Sequence, residues 1–520
     1  MTKLHQAKTI VEFLQENVQD YADKVAFTCQ GESITYQQLD QRSTVLASWL
    51  QHQTALEQGD RIAIQLPNCL AYPIIVYAAF KAGLVIVNTN PMYTPREMQH
   101  QFTDAGVKAL FILDALSPKL AGFVNDTDIQ NIIGIGGNSE LAKLGESAQA
   151  SSHEFSAILT SGNSTALKPL QAIEENEIAL LQYTGGTTGV SKGASLTHKS
   201  LLSNVNQIGQ HFGDKLTEGE EAFVTPLPLY HIYAFAVNLL YVGGIGGNNI
   251  LISNPQNPDE FVNSMTDQRF TAFTGINTLF VGLSQYPPFK ALNFDTLKLT
   301  ISGGTTLTPD AANKWTTLTG CTITEGYGLS ETSPVVCFNK PGQEELGTVG
   351  YPLANTEVQL RDANGQVVAD GEEGEIVVKG PQVMLGYWGR EDENDKVFTA
   401  DGFFKTGDVG VVQPSGTIKI VDRLKDMILV SGFNVYPNEI EDVLTRHSAI
   451  SEAAVVGKPS EKTGEAIWAY ITVSEEVSTD DIISYCREQL TPYKVPKNIV
   501  VLDELPKSSV GKVLRKELRD

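Results

Sequence analysis

Cysteine is scarce: Cys29, Cys69, Cys321, Cys337 and Cys486 are the only five in 520 residues, and no two stand at metal-ligand spacing. An odd, scattered set of thiols argues against a disulfide framework and fits a reducing, cytoplasmic compartment. Positive charge is in deficit too, with 38 Lys and Arg against 61 Asp and Glu and a net charge of −23. A field of that sign repels nucleic-acid backbone and anionic headgroups, so neither is expected as a bulk partner. No apolar run reaches the ~18 residues of a spanning helix. The nearest, residues 232–246, is broken by Asn238 and ends in glycines, which suits a buried helix. The start, MTKLHQAKTIVEFLQEN, has no signal-peptide core. Repeats and low-complexity tracts are missing as well, which excludes solenoids.

What is present is ample core. With 42% hydrophobic and 19% charged residues, the chain can bury more than one core and should divide into at least two domains. Short β-rich runs, RIAIQL (61–66), LVIVN (84–88) and VKALFIL (107–113), alternate with helical stretches such as CLAYPIIVYAAFKAG, the pattern of a layered α/β domain. Thr94, Pro95 and Glu97 read as a capping box opening a helix. Residues 137–172 are polar and read as surface helix and connector, and a second α/β run covers roughly 178–340. Residues 347–420 read as short strands with turns at Ala363-Asn364-Gly365 and Asp370-Gly371, a β-rich subdomain. After VDRLKDM (421–427) a small, self-contained α+β pattern runs to a basic tail, which places a boundary between residues 1–424 and 425–520.

The strongest chemical signal is LLQYTGGTTGVSKGASLTH (180–198): an apolar strand, then a loop of glycines, hydroxyls and one lysine, then a helix start. Glycines let backbone N–H groups approach phosphate oxygens, hydroxyls add donors, and Lys192 adds positive charge. The spacing does not match the Walker loop, because Lys192 follows Ser191 and precedes Gly193. Gly189-Val190-Ser191-Lys192-Gly193 does match a hydrolase nucleophile elbow, but an elbow serine sits at the strand end, and here the strand ends near Tyr183. A flexible turn accounts for the glycines but not for four hydroxyls and a lysine among them. The loop is read as a triphosphate cradle.

Other segments are ambiguous alone. GYGLSET (326–332) sets Tyr327, able to stack on a base, near Ser330 and Glu331, oxygen donors suited to Mg²⁺. ISGGTTL (301–307) is a close-approach glycine turn that can pack on adenine or be only a turn. KTGDVG (405–410) puts Asp408 in a tight turn, where it can accept ribose hydroxyls or simply form the turn. His231 in PLPLYHIYAF and Lys512 in PKSSVGKVLRKELR read by composition as a packed histidine and a solvated cation.

Together and in this order, these segments resemble the adenylate-forming superfamily of acyl-CoA synthetases, luciferases and peptide-synthetase adenylation domains, over nearly the whole chain. NPMYTPREMQHQ (90–101), YTGGTTGVSKGASLTH (183–198), PLPLYHIYAF, KGPQVMLGYW (379–388), VDRLKDMILVSGFNVYPNEIEDV (421–443) and LPKSSVGK look like the bacterial long-chain fatty acyl-CoA synthetases within it. Ser330 departs from the more usual Thr of GYGLTE.

The resemblance implies a large N-terminal domain, a small mobile C-terminal domain, and two half-reactions with ATP, Mg²⁺ and CoA. Carboxylate plus ATP gives acyl-adenylate and pyrophosphate, and CoA then displaces AMP. Thr184, Gly185, Gly186, Thr187, Thr188, Gly189, Val190, Ser191, Lys192, Gly193, Ala194 and Ser195 would hold phosphates. Gly304 and Tyr327 would hold adenine, Asp408 ribose, Arg423 ribose or phosphate, and Glu331, beside Ser330, Mg²⁺. Lys512 would bridge the acyl carboxylate and α-phosphate, and His231 would sit near the carboxylate. Phe235 would gate an acyl tunnel, Lys425 would be the hinge, and Ser431, Gly432 and Phe433 would approach pantetheine. A palmitoyl-sized chain gains at most about 12 kcal/mol from burial, at ~0.8 per methylene, so apolar length can set specificity. The family also admits medium-chain or aryl acids, loading of a carrier protein instead of CoA, homodimers, and peripheral attachment to the inner face of the membrane.

Overall fold

The computed structural model describes residues 5–137, 139–145, 148–161, 165–184, 191–431, 433–460, 463–508 and 511–519. Among them, four β-sheets organise the chain. A seven-stranded sheet runs in the order Ser151–Glu154, Asn131–Ile135, Val107–Leu113, Arg61–Gln65, Val85–Asn88, Ile178–Thr184, Lys192–Thr197, parallel except at its last pair. A nine-stranded sheet is parallel through its centre, from Val25–Cys29 to Ile323–Gly328. Strands such as Ile86, Val87, Leu180 and Leu181, or Val224, Phe273 and Ile301, are buried on both faces, as parallel sheets covered by helices require.

Local signals set the helix starts. Thr94 N–H donates to the Glu97 carboxylate at 2.8 Å while Thr94 Oγ1 accepts from Glu97 N–H, so the expected box opens Pro95–Ala105. Thr9 with Glu12 and Thr35 with Gln38 repeat the device. Each cap contributes about 1 kcal/mol.

Three expectations need correction. Residues 137–172 are not all surface connector: Ser151–Glu154 is the edge strand of the seven-stranded sheet, and Leu141, Leu144, Phe155 and Ile158 are buried. Polar composition hid the strand because an edge strand needs few apolar residues. The loop after Thr184 does not lead directly into a helix. It returns as the antiparallel strand Lys192–Thr197, and the helix begins only at His198, capped by Thr197. Asp408 lies inside the strand Phe404–Val412 and not in a tight turn, because Gly407, at φ +72°, absorbs the left-handed conformation just before it.

The 232–246 run contains a wide-turned helix, Ala234–Val242, of the kind with i→i+5 bonds, and all nine residues are buried. No described helix is long and apolar enough to cross a membrane. A four-stranded antiparallel sheet, Glu357–Arg361, Glu373–Lys379, Phe404–Val412, Ile418–Arg423, carries the chain to a last sheet that begins at Ile428–Val430 and has its own core around Val455, Ile467 and Ile471.

Candidate active site

Strands Ile178–Thr184 and Lys192–Thr197, which flank the glycine-rich segment, run antiparallel, with Thr184 paired with Lys192 and Tyr183 with Gly193. Thr184, Ser191, Lys192, Gly193, Ala194 and Ser195 are described; Gly185, Gly186, Thr187, Thr188, Gly189 and Val190 lie outside the described residues. Gly193 is there for space, since a Cβ would stand 2.9 Å from Tyr183 Cε2. Tyr183 Oη donates to Asp104 at 2.7 Å, and Arg390 pairs with the other Asp104 oxygen at 2.5 Å. His100 Nε2 lies 2.9 Å from Ser191 O and pins the returning arm. Residues 385–388 zip onto that arm: Leu385 N–H donates to Ser195 O (3.0 Å), Ser195 N–H to Gly386 O (2.9 Å) and Trp388 N–H to Gly193 O (2.8 Å). This addition brings Tyr387 under Lys192, whose ammonium lies 5.2 Å from the ring centroid and pairs with Glu393.

Tyr387 Oη also donates to Glu331 Oε1 at 2.7 Å. Glu331 is buried, and burial pushes its carboxyl above the ordinary value while the Tyr387 hydrogen bond pulls it back. On the same segment, Tyr327 Oη donates to Asp408 Oδ2 at 2.6 Å, and Arg423 Nε forms an ion pair with Asp408 Oδ1 at 3.1 Å across the strand pair that sets the two residues opposite each other. Burial first, then the Asp408 charge, holds the Tyr327 phenol far above its usual range. A carboxylate offers about four lone-pair sites, and among the described residues the Tyr327 phenol gives the one side-chain hydrogen bond that Asp408 accepts. Gly304 has φ +80° in the loop after Leu299–Ser302, which a side chain would strain, and no atom stands within 4 Å of a Cβ there.

Lys512 arrives from the C-terminal sheet. It sits where Lys507 bridges Val513, and the neighbouring Gly511 touches the start of the helix Asn277–Gln285 so closely that a Cβ would meet Ile276 Cδ1 at 2.5 Å. Burial, then the charges of Arg423 and Lys425, lower the Lys512 ammonium to about 8, opposed by Asp408. Lys425 is brought to about 8 by burial and by Arg423. His231 senses Lys512 in turn: burial and that charge lower its imidazole to about 4. Tyr233 N–H donates to His231 Nδ1 at 3.3 Å, so the neutral ring carries its proton on Nε2 and presents a donor. Phe235 follows one turn on, fully buried.

The structure therefore gathers His231, Tyr327, Glu331, Asp408, Arg423, Lys425 and Lys512 beside these strands. It does not bring Ser431 and Phe433 there. Both are exposed; Ser431 N–H donates to Thr463 O, and Phe433 stacks on Tyr493 at 4.8 Å, all within the C-terminal part. Gly432 lies outside the described residues. Residues that sequence reasoning left without a role are Tyr387, Glu393, Asp104 and Glu325. Glu325 is buried, accepts Leu307 N–H at 2.9 Å and so ties down the Gly304 loop; burial pushes it up to about 8. Its position two residues before Tyr327, on the same strand face, was the available signal.

Among the described residues no cluster of three or more His, Cys, Asp and Glu could cage a metal. Glu331 offers one carboxylate beside hydroxyls. That fits a small hard cation which keeps phosphate oxygens and waters as its remaining ligands.

Tyr327, Glu331, Asp408, Arg423 and Lys512 thus lie near one another beside the strand pair Ile178–Thr184 and Lys192–Thr197. The chain belongs to the AMP-binding enzyme family, whose model matches residues 14–388, with the AMP-binding enzyme C-terminal domain matching 439–512. It is 42% identical to the long-chain-fatty-acid–CoA ligase of Salmonella typhimurium, covering 99% of this chain and 94% of that one. The Haemophilus influenzae long-chain-fatty-acid–CoA ligase is 38% identical over 99% and 94%. Among solved structures, ATP-bound MatB from Rhodopseudomonas palustris superposes with a TM-score of 0.85 at 27% identity, covering 98% of each chain.

Proposed function

We propose that this chain is an AMP-forming long-chain fatty acid–CoA ligase. Likeness to ligases of that name along nearly its whole length supports the substrate class. The observation that carries the chemistry is Lys512 lying within electrostatic range of Asp408, Arg423 and His231.

In the first half-reaction a fatty carboxylate oxygen attacks the α-phosphorus of ATP and pyrophosphate leaves. Residues 184–195 cradle the phosphates, Gly304 and Tyr327 flank adenine, and Asp408 accepts ribose hydroxyls with Arg423 beside it. Lys512 neutralises charge building between carboxylate and α-phosphate. His231, neutral, donates through Nε2 at the carboxylate end, and Phe235 closes the acyl tunnel. Ser330 belongs to the ATP-binding set, and Mg²⁺, held by Glu331 with the phosphates, would supply charge neutralisation. In the second half-reaction the CoA sulfur attacks the acyl carbon and AMP leaves. For that step the C-terminal part, residues 425–520, turns about Lys425 relative to residues 1–424, withdrawing Lys512 and bringing Ser431, Gly432 and Phe433 toward pantetheine.

The proposal sets the enzyme in the cytoplasm, with vesicle flotation and sedimentation as tests of peripheral attachment and of a homodimer. Acid-dependent ATP–pyrophosphate exchange and acyl-CoA formation test the chemistry. Turnover of C8 to C18 acids is expected. Exclusive use of aryl acids would overturn the fatty-acid assignment, and turnover of a carrier protein without CoA would overturn the CoA step.

A further inference from the structure

The turn that carries His231 is held from below by buried polar side chains that the chemistry above does not use. Asn68 is almost fully buried between the two large sheets. Its Nδ2 donates to Leu227 O (3.0 Å), Thr225 O (3.1 Å) and Ile252 O (3.3 Å), while its Oδ1 accepts Leu229 N–H at 2.8 Å. Tyr72 Oη donates to Asn88 Oδ1 at 2.5 Å and lies 3.1 Å from Leu229 O. Asn88 Nδ2 donates to Gln182 Oε1 at 3.1 Å, and Gln182 Nε2 donates to Tyr230 O at 3.2 Å. The chain of bonds thus ends on the residue immediately before His231.

On the way it passes through the strand Ile178–Thr184 at Gln182. Asn88 and Gln182 face each other in register on adjacent parallel strands, and strand alternation puts Gln182 on the same face as Thr184, the last residue before the loop. Asn88, Gln182 and Tyr72 are all buried in strands and a helix where apolar residues would satisfy the sheets equally well. Buried amides cost free energy unless each is paired, and a half-broken network leaves orphaned groups. Here the bonds running from this network across to the second sheet end on one short segment, residues 225–230 and the neighbouring Ile252 O.

We infer that Gln182, with Asn88 and Tyr72, is a positioning residue that sets the His231 imidazole relative to the strand that ends at Thr184, so that the Nε2 donor meets the carboxylate as it attacks. The inference deepens the proposed function and rests on His231 acting there. Losing the strut lets the 228–231 turn shift without emptying the nucleotide site.

A double-mutant cycle on the full chain tests it, with acid-dependent ATP–pyrophosphate exchange as readout. Gln182→Met, which keeps the shape and removes both hydrogen bonds, is expected to lower exchange kcat roughly tenfold to a hundredfold, as for a misplaced group, with the KM for ATP within about twofold. In a His231→Ala background the same substitution should have no further effect, since coupled residues are non-additive. Tyr72→Phe, which removes only the hydroxyl, should follow the same pattern and serves if Gln182→Met does not fold. Equal losses in both backgrounds, or no loss from either variant, would overturn the positioning role. If His231→Ala alone leaves exchange unchanged, it is the assignment of His231 that fails.

Discussion

At the scale of single residues, charge crowding decides what each group can do. Lys512 is lowered to about 8 by burial and by neighbouring cations, and in the proposed function it acts as an ammonium toward the attacking carboxylate. The kcat/KM for adenylation, which reports the free enzyme, should therefore fall as pH rises through about 8. Lys512→Arg should shift that alkaline limb beyond reach. Lys512→Ala should slow adenylation by roughly a hundredfold to a thousandfold and spare CoA attack on supplied acyl-adenylate; equal loss of both steps would contradict the role. Glu325 gives a prediction about stability. Its folded value is raised from 4.5 to about 8, so the folded state holds a proton the unfolded chain has lost, and this contribution, full below 4.5, drains away as pH climbs to about 8. Glu325→Gln should flatten that part of a denaturation-versus-pH curve. Neither shift was legible in the sequence, because burial and through-space charge have no spacing signature.

At the scale of elements, the hairpins do the placing. The capping box at Thr94 and the strands 61–66, 84–88 and 107–113 could be read directly, since short continuous β-rich apolar runs and caps are local signals. The return strand Lys192–Thr197 could not. Its sequence, KGASLT, is short and weakly apolar, and it becomes a strand by pairing with Ile178–Thr184 on one side and residues 385–388 on the other. The second hairpin carries Lys512 and depends on Gly511, which has φ +72° and no room for a Cβ beside Ile276 and Thr278. Gly511→Ala should keep the tip from seating. Adenylation should drop by at least tenfold, as for a catalytic group displaced by about an ångström, while thioester formation from supplied acyl-adenylate persists. Parallel losses in the two assays would show that the substitution damages the fold and not the docking.

At the scale of the whole molecule, the C-terminal sheet is fastened to the strand that precedes it by a few polar contacts. Asn438 N–H donates to Asp422 Oδ2 at 2.8 Å and Asn438 Nδ2 to Val421 O at 3.2 Å, with Arg515 bonded to the Asn438 amide oxygen at 2.8 Å. The Arg515 and Arg519 ion pairs to Asp426 and the seating of Gly511 against Ile276 add to these contacts in placing Lys512. Asn438→Ala should weaken the arrangement that seats Lys512, slowing adenylation several-fold while leaving the CoA step unchanged or faster in single-turnover assays. What the sequence determined by itself was what is encoded locally: the α/β class, the glycine and hydroxyl loop, and a motif order that resembles one family. Tertiary structure alone decided which of those residues meet. Tyr387 reaches Glu331 across 56 positions and Tyr327 reaches Asp408 across 81. Lys512 joins His231 only because a separate sheet docks, and Gln182 props the His231 turn only because two sheets face each other. Such contacts are set by packing between elements distant in the chain, and packing has no period to read.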